Sequence, residues 1–405
     1  MPDLRVCVLR MAALLALLLL ASAPVLAQVR IGVITMAPGE IFFERFGHNA
    51  IVVSDARTGQ ATSYNFGFFD MDEPDFATRF ALGDMQYYLV ALPLEEDLAY
   101  YRRVGRGVGL QWLDLPAQQA NALAEALAVR ARPGNARYAY DYFTNNCSTQ
   151  VRDIIDAAMG GALRPQLDAR SRGNTFRSEA VRLASPATWM WLGFDIGLGP
   201  YADVPLSRWG EAYVPMRLAD SLREARNTAG QPLVVEEVQL LPHLAAPEPA
   251  DEPRSWAPWL LAGLLAGVLI ALASVRSGRV LGALLLPLWL VCGLVGLVLA
   301  FLWGFTEHQA AWANRNLLLF NPLCLLLVPA SIALLRGRPI ARWQSRLALA
   351  VLVAAGAAWF LHWLPMQVQY NHSWVALLLP VHAAVAHVLA ARAPVPGDAG
   401  VAQSG

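Results

Sequence analysis

The sequence predicts an α+β domain outside the cytoplasm, followed by an all-α domain of five membrane-spanning helices. Three observations predict this division. An N-terminal segment is typical of an export signal, alternating apolar patterns follow it to about residue 245, and five long apolar runs occupy the last third. The apolar fraction of the 405 residues is 56%, and the excess lies in the signal and after Trp256.

The first 27 residues predict a signal peptide. Arg5 and Arg10 form a basic region before an apolar run, and Val25-Leu26-Ala27 fits a cleavage site before Gln28. The alternative is an uncleaved N-terminal anchor. Both interpretations place the next segment outside the cytoplasm.

Residues 28–245 predict a small antiparallel sheet with added helices. Residues 94–103 and 116–131 indicate helices. Residues 162–245 are the least informative, and within them residues 171–180 and 188–222 indicate a loop-and-helix segment that covers the cleft or rests on the bilayer. A further short helix is predicted to end at Gly83. The strands are predicted from five segments: QVRIGVITM, HNAIVVS, QATSYNFGFF, DMQYYLVALPL and GVGLQWLDL.

The rest of the chain predicts a linker over residues 246–256, five spanning helices within 257–391 and a cytoplasmic tail over 392–405. Each apolar run is near the roughly 20 residues that a spanning helix needs. Seven arginines fall in loops on one side of the predicted membrane, and only Arg315 falls on the other. The positive-inside rule therefore makes the tail cytoplasmic in the inner membrane. The runs lie at about 257–275, 280–303, 317–335, 344–364 and 374–391.

The exported part keeps one cysteine, Cys147, since Cys7 leaves with the signal and the other two lie in apolar runs. From Cys147 onward, apolar residues recur at helical spacing, and Gly160 and Gly161 end the pattern. A thiol in the first turn of a helix feels its positive end, which favours the thiolate. The apolar positions of this predicted helix are Val151, Ile154, Ile155 and Ala158.

Only two histidines lie in residues 28–245, and His243 is next to the linker. The other, His48, begins a predicted strand. A cysteine at a helix start and a histidine at a strand start are the parts of a papain-like pair, here in the order of circularly permuted versions of that fold. The alternative is a buried structural cysteine with a turn histidine, and the residue types leave both open. One cysteine and one histidine are too few ligands for a metal site.

The predicted outer loops of the membrane domain are polar. One interpretation is ordinary interfacial polarity, and the other is that these groups face the exported domain and form part of a binding site at the membrane surface. The candidates are His308, Asn314, Asn316 and His372.

Three segments carry a family resemblance: residues 37–53 (APGEIFFERFGHNAIVV), 63–89 and 138–155 (YAYDYFTNNCSTQVRDII). They resemble the periplasmic domain of Lnb-type lipoprotein N-acyltransferases, itself similar to circularly permuted papain-like (NlpC/P60-like) proteins. The five predicted helices, with NRNLLLFNPL at 314–323, resemble the membrane part of the same family.

The resemblance implies that Cys147 is the nucleophile and His48 its base. A third polar group should orient the imidazole, and the strand next to His48 offers Asn65. Asn146 with the Cys147 N–H implies an oxyanion hole, although N-capping is the alternative for Asn146. Tyr64 and Asp141 are expected to support the site.

The implied reaction moves an acyl chain from a phospholipid to the N-terminal amine of a lipoprotein through a Cys147 thioester. It needs no cofactor, and a net charge of zero gives no general attraction to nucleic acid. Two alternatives remain at this point: a periplasmic cysteine peptidase or amidase, and a non-enzymatic envelope membrane protein.

Overall fold

The computed structural model describes residues 29–252 and 254–394. The predicted signal peptide and the end of the predicted tail lie outside the described residues. The periplasmic part contains a seven-stranded sheet in which every neighbouring pair is antiparallel, in the order β6-β4-β3-β2-β1-β5-β7. The strands are β1 (Val29–Met36), β2 (His48–Asp55), β3 (Gln60–Phe68), β4 (Met85–Pro93), β5 (Val108–Leu113), β6 (Arg137–Tyr140) and β7 (Val234–Leu241).

All five predicted strands are present, and β2 begins at His48 as predicted. The two edge strands were not predicted from the sequence. β6 has only four residues, and β7 exposes the apolar Val235 beside two consecutive glutamates, Glu236 and Glu237, so neither shows a strong apolar alternation. β7 lies within residues 162–245, where the sequence predicted no strand, and it completes the sheet next to β5.

Helices cover both faces of the sheet. On one face, Leu98 and Tyr101 pack with Ala50 and Val52. On the other, helix α4 buries Val151 and Ile155 among sheet residues. The helices of this part are α1 (Phe76–Leu82), α2 (Leu94–Val104), α3 (Ala117–Arg130), α4 (Cys147–Ala158), α5 (Leu163–Asp168), α6 (Phe176–Ala184), α7 (Thr188–Gly197), α8 (Arg208–Glu211) and α9 (Pro215–Glu224).

Among the described residues, five helical segments are long and apolar enough to cross a membrane. The sheet with its helices and these five segments confirm the predicted α+β domain followed by five apolar helices. The circular permutation and the domain limits stay predictions. The helices are α10 (Ala257–Arg276), α11 (Gly278–Phe305), α12 (Val328–Leu335), α13 (Arg342–Phe360) and α14 (His372–Ala390).

The third segment, Arg315–Leu335, is not one continuous α-helix. It consists of two 3₁₀ turns, Arg315–Leu318 and Pro322–Leu327, followed by α12. Pro322 has no N–H to donate, and the Asn321 side chain accepts a hydrogen bond from the Leu323 N–H. Both features favour a break within the predicted run of 317–335.

Candidate active site

Cys147 is the first residue of α4, and its side chain is buried. A chain of two hydrogen bonds connects the start of this helix to the sheet. Ser148 Oγ lies 2.8 Å from Asn49 Oδ1 in β2, and the Asn49 amide lies 2.8 Å from Thr35 Oγ1 in β1. Because Asn49 follows His48 directly, these bonds bring the thiol to the beginning of β2.

His48 and Cys147 lie close enough for each group to shift the pKa of the other. His48 Nε2 lies 3.0 Å from Asn65 Oδ1, so Nδ1 is the ring nitrogen left to face the sulfur. Asn65 is on β3, and Ala50 of β2 pairs with it across the sheet. The structure thus brings the three predicted residues Cys147, His48 and Asn65 together.

Asp97, on α2, extends this chain and was missed in the sequence. Asn65 Nδ2 donates to Ser63 Oγ at 2.9 Å and to Asp97 Oδ2 at 3.0 Å, and Ser63 Oγ donates to the same carboxylate oxygen at 2.5 Å. Since the amide nitrogen faces the carboxylate, Asn65 turns its oxygen toward the imidazole. Asp97 is buried on the same side of α2 as Leu98 and Tyr101, one and four residues further on, and an acid at such a position was the available signal.

The His48 imidazole and the Cys147 thiol shift each other's pKa in opposite directions. Burial lowers the pKa of the His48 imidazole, but the Cys147 thiolate and then Asp97 raise it above its ordinary value. Burial also raises the pKa of the Cys147 thiol, but His48 and the backbone N–H groups of Asn49 and Ser148 outweigh this effect and lower the pKa. The arrangement favours a thiolate–imidazolium pair, which is an activated nucleophile.

Asn146 is the N-cap of α4, and the expected oxyanion role of its side chain does not fit this geometry. Its Oδ1 accepts from the Thr149 N–H at 2.9 Å. Its amide donates to the carbonyl oxygens of Tyr142 at 3.0 Å and Tyr213 at 2.9 Å. Both amide hydrogens are occupied, so the capping alternative describes this residue.

Asp141 and Tyr64 shape the surroundings of the pair. Asp141 Oδ1 accepts from the backbone N–H groups of Phe143 and Thr144, at 3.0 and 2.7 Å, which orders the turn that leads into α4. Tyr64 is buried in the hydrophobic cluster that contains Val151 of α4. Its position on β3 puts it on the opposite face from its neighbours Ser63 and Asn65.

The thiol and the imidazole lie on the wall of a cavity of about 340 Å³, which is within the size range of ligand pockets. Leu302 of α11 and Ala311 of the following loop complete the wall from the membrane domain. No carboxylate, arginine or lysine of the described residues lines it. The aromatic members of the lining are Phe42, Phe43, Phe46, Phe66, Phe69, Phe80, Tyr87, Tyr140, Tyr142, Phe143, Phe194 and Tyr213.

Of the four membrane-loop candidates, only His308 lines this cavity. Its Nδ1 lies 2.8 Å from Tyr142 Oη, and the two rings stack at 5.8 Å. The loop is held against α1, where the Glu307 N–H donates to the Leu82 carbonyl at 2.7 Å. A Cβ at Gly83 would lie 3.1 Å from the backbone nitrogen of His308. A glycine, which has no Cβ, therefore permits the loop to approach α1 this closely.

Asn314 and Asn316 connect the membrane domain to the periplasmic domain. Neither lines the cavity that contains the Cys147 thiol. The Asn314 amide donates to the carbonyls of Ile196 and Gly197 at the end of α7, at 2.8 and 2.9 Å, and the Asn316 amide donates to Ile196 at 3.0 Å. They satisfy the last carbonyls of that helix. His372 stacks on His362 at 4.3 Å and does not line the cavity.

The two parts of the chain match two family models. Residues 25–187 match a model described as the Lnb N-terminal periplasmic domain, and residues 250–393 match one described as the Lnb transmembrane domain. No curated protein and no solved structure gives a significant match. With its five apolar helices, the chain is an inner-membrane protein with a periplasmic domain.

Proposed function

Because the chain belongs to the Lnb family, we propose that it is a membrane-anchored thiol acyltransferase. It moves an acyl chain from a phospholipid to the N-terminal amine of a lipoprotein through a Cys147 thioester. Its C-terminus faces the cytoplasm, as the distribution of arginines in the loops indicates.

The position of the Cys147–His48 pair carries this proposal. The pair opens on an apolar, aromatic cavity whose far wall comes from the membrane domain. Apolar side chains near the cavity are also exposed: Phe43 is 44% exposed and Trp189 67%, and the Phe42 ring between them stacks on Trp189 at 6.1 Å. An acyl chain can enter such a cavity from a bilayer, whereas a soluble peptide would gain little from it.

In the first half-reaction, the Cys147 thiolate attacks the ester carbonyl carbon of the phospholipid. The carbon–oxygen bond to glycerol breaks, and His48 gives its proton to the leaving oxygen. The products are a lysophospholipid and an acyl thioester on Cys147. Asn65 and Asp97 hold the imidazole in the orientation that this proton transfer needs.

In the second half-reaction, the uncharged amine of the lipoprotein attacks the thioester carbonyl carbon. The carbon–sulfur bond breaks, an amide forms, and His48 takes a proton from the nitrogen. The thiolate–imidazolium pair is restored. Both substrates are lipids of the same leaflet, so five membrane helices beside the cavity bring the site to them.

The backbone N–H of Cys147 is the expected oxyanion donor. It belongs to the first turn of α4, and within the described residues no protein group accepts a hydrogen bond from it. A helix N-terminus stabilises the negative charge that develops on the carbonyl oxygen in both half-reactions.

The test is to express the full-length chain in a Gram-negative host depleted of its own lipoprotein N-acyltransferase. Mass spectrometry of the N-terminal peptide of a model lipoprotein then counts its acyl chains. We expect a third acyl chain with the wild type and none with Cys147→Ala, because alanine has no nucleophile to carry the acyl group.

The matched control is Cys324→Ala. Cys324 is also a buried free thiol, but it lies in the membrane domain and does not line the cavity. This variant should keep the third acyl chain. A correctly inserted wild type that adds no acyl chain would contradict the proposed function in that host.

A further inference from the structure

The second half-reaction raises a proton problem that the Cys147–His48 pair does not solve. An α-amino group has a pKa of about 7.7–8.0, so at neutral pH most of the acceptor is an ammonium ion without a lone pair. His48 removes a proton during the attack on the thioester. Without a second base beside the acceptor, only the minor uncharged fraction of the amine can attack the thioester.

His308 is the other base on the cavity wall. Within the described residues, the lining contains two histidines, His48 and His308, and no carboxylate. His308 comes from the membrane domain, whereas His48 comes from the sheet. The bond between His308 Nδ1 and Tyr142 Oη fixes the ring, and among the described residues no group bonds to Nε2.

We propose that His308 is the base that deprotonates the acceptor ammonium, an inference that rests on the proposed function. In the tautomer whose Nδ1–H donates to Tyr142 Oη, Nε2 presents a lone pair. It accepts one of the three ammonium protons, and the nitrogen keeps the electron pair. The amine then forms the bond to the thioester carbon, while its next proton goes to His48 and the carbon–sulfur bond breaks.

The imidazolium of His308 returns its proton to solvent at the outer surface of the membrane after the amide leaves. The structure separates the two proton transfers between two domains: the periplasmic domain activates the thiol, and the membrane domain prepares the amine. The acceptor class that follows is a primary amine held at the membrane surface.

The other titratable groups that line the cavity with His308 are tyrosines and the catalytic pair. Burial raises the pKa of Tyr142 and, to about 12, that of Tyr87, so both stay protonated at neutral pH. Glu307 precedes His308 in the chain. Helix α1, which packs on this loop, carries Arg79, whose guanidinium pairs with Glu73 at 2.9 Å. The remaining titratable lining residues are Cys147, His48, Tyr140 and Tyr213.

The experiment is a single-turnover measurement on the purified full-length protein in phospholipid nanodiscs. Intact-mass spectrometry follows the acyl-enzyme, first as it forms and then as it decays. Two nucleophiles are compared: a lipopeptide with a free α-amine on an S-diacylglyceryl cysteine, and hydroxylamine, which is uncharged at neutral pH.

We expect His308→Gln to form the acyl-enzyme at the wild-type rate. Transfer to the lipopeptide at pH 7 should fall about six- to tenfold, because about one-tenth to one-sixth of the α-amine is uncharged there. The deficit should vanish toward pH 9, and deacylation by hydroxylamine should be unchanged. Tyr142→Phe, which keeps the ring and removes the bond to His308, should show a smaller deficit with the same pH dependence.

His387→Gln is the matched control, since His387 lies on α14 and does not line the cavity. A deficit of His308→Gln that is equal for both nucleophiles, or constant with pH, would show that His308 only shapes the cavity and would overturn the inference. Loss of acyl-enzyme formation in this variant would do the same. Failure of the wild type to form an acyl-enzyme would instead contradict the proposed function itself.

Discussion

The chain of hydrogen bonds from Asp97 through Asn65 to His48 has a direction that the side chains themselves impose. The Asp97 carboxylate can only accept, so the Asn65 amide nitrogen points to it and the amide oxygen points to His48 Nε2. This assigns the Nε2 proton and leaves Nδ1 to exchange protons with the Cys147 sulfur. The buried negative charge of Asp97 also stabilises the imidazolium.

His48→Gln tests this electrostatic coupling. Removal of the cation leaves burial, which raises the pKa of the Cys147 thiol, as the dominant influence. We therefore expect alkylation of Cys147 by iodoacetamide at neutral pH to fall at least tenfold and to recover only as the pH rises above the ordinary range of a thiol, about 8.5. Peptide mass spectrometry of the Cys147 peptide measures the rate from pH 5 to pH 10.

His243→Gln is the control, because His243 contacts the Gly107 N–H outside the cavity. It should keep the wild-type alkylation profile. Equal profiles for His48→Gln and the wild type would mean that the imidazole does not lower the thiol pKa.

At the scale of elements, glycines on α11 leave room for the third membrane segment, Arg315–Leu335, which is not one continuous α-helix. Glycines on α11 let the backbone of that segment approach closely: a Cβ at Gly296 would lie 2.3 Å from the Phe320 carbonyl oxygen, and one at Gly293 would lie 2.4 Å from Leu325 Cγ. Small residues at such contacts are typical of helix packing in membranes, where lipid gives no hydrophobic drive. The approach places the polar Asn314–Asn316 turn beneath α7.

Gly296→Ala should therefore destabilise the membrane domain. The added methyl group meets backbone atoms that cannot rotate away, and overpacking of this kind costs about 1–3 kcal/mol. Thermal unfolding in detergent should show a lower midpoint than the wild type. Gly304→Ala is the matched control on the same helix, since no atom lies within 4 Å of its added Cβ; similar midpoints for both variants would refute the packing argument.

At the scale of the whole molecule, the active site is composite, because the membrane domain supplies one wall of the cavity. A buried ion pair holds the contact: Arg177 Nε lies 2.8 Å from Asp203 Oδ1, and the Asp203 carboxylate accepts from the Tyr370 N–H of the second outer loop at 3.0 Å. The Gly199 N–H donates to the Ala310 carbonyl at 2.7 Å, next to His308 in the first outer loop. These contacts fix the position of His308 relative to Cys147.

Gly199→Ala should disturb this arrangement without unfolding either domain. Its Cβ would lie 2.1 Å from the Trp312 carbonyl oxygen, so the loop that carries His308 must shift. A displacement of about 1 Å can reduce a catalysed rate by as much as roughly 100-fold. We expect acyl transfer to the lipopeptide to fall about ten- to a hundredfold, while iodoacetamide still alkylates Cys147 at the wild-type rate.

Gly134→Ala serves as the control, because no atom lies within 4 Å of its added Cβ. Its acyl transfer should match that of the wild type. Unchanged transfer by Gly199→Ala would show that the position of the outer loop does not affect the reaction.

The sequence by itself determined the features that depend on local patterns. Alternation of apolar residues located β1 to β5, the helical spacing after Cys147 located α4, and the lengths of the apolar runs located the five membrane segments. It also identified Cys147 and His48 as candidates, because residues 28–245 contain one cysteine and two histidines. Asn65 was a candidate because it lies on the strand predicted next to His48.

Only the tertiary structure decided which of these residues meet and what each one does. Asp97 joins the site through contacts between α2 and β3, which are more than 30 positions apart in sequence, and no local pattern encodes such a contact. The capping role of Asn146 was decided by the Thr149 N–H, which donates to its Oδ1, and by its amide hydrogens, which bond to the carbonyls of Tyr142 and of Tyr213, 67 residues away. His308 reached the cavity because the domains dock, and docking depends on the fit of two folded surfaces that a linear pattern does not contain.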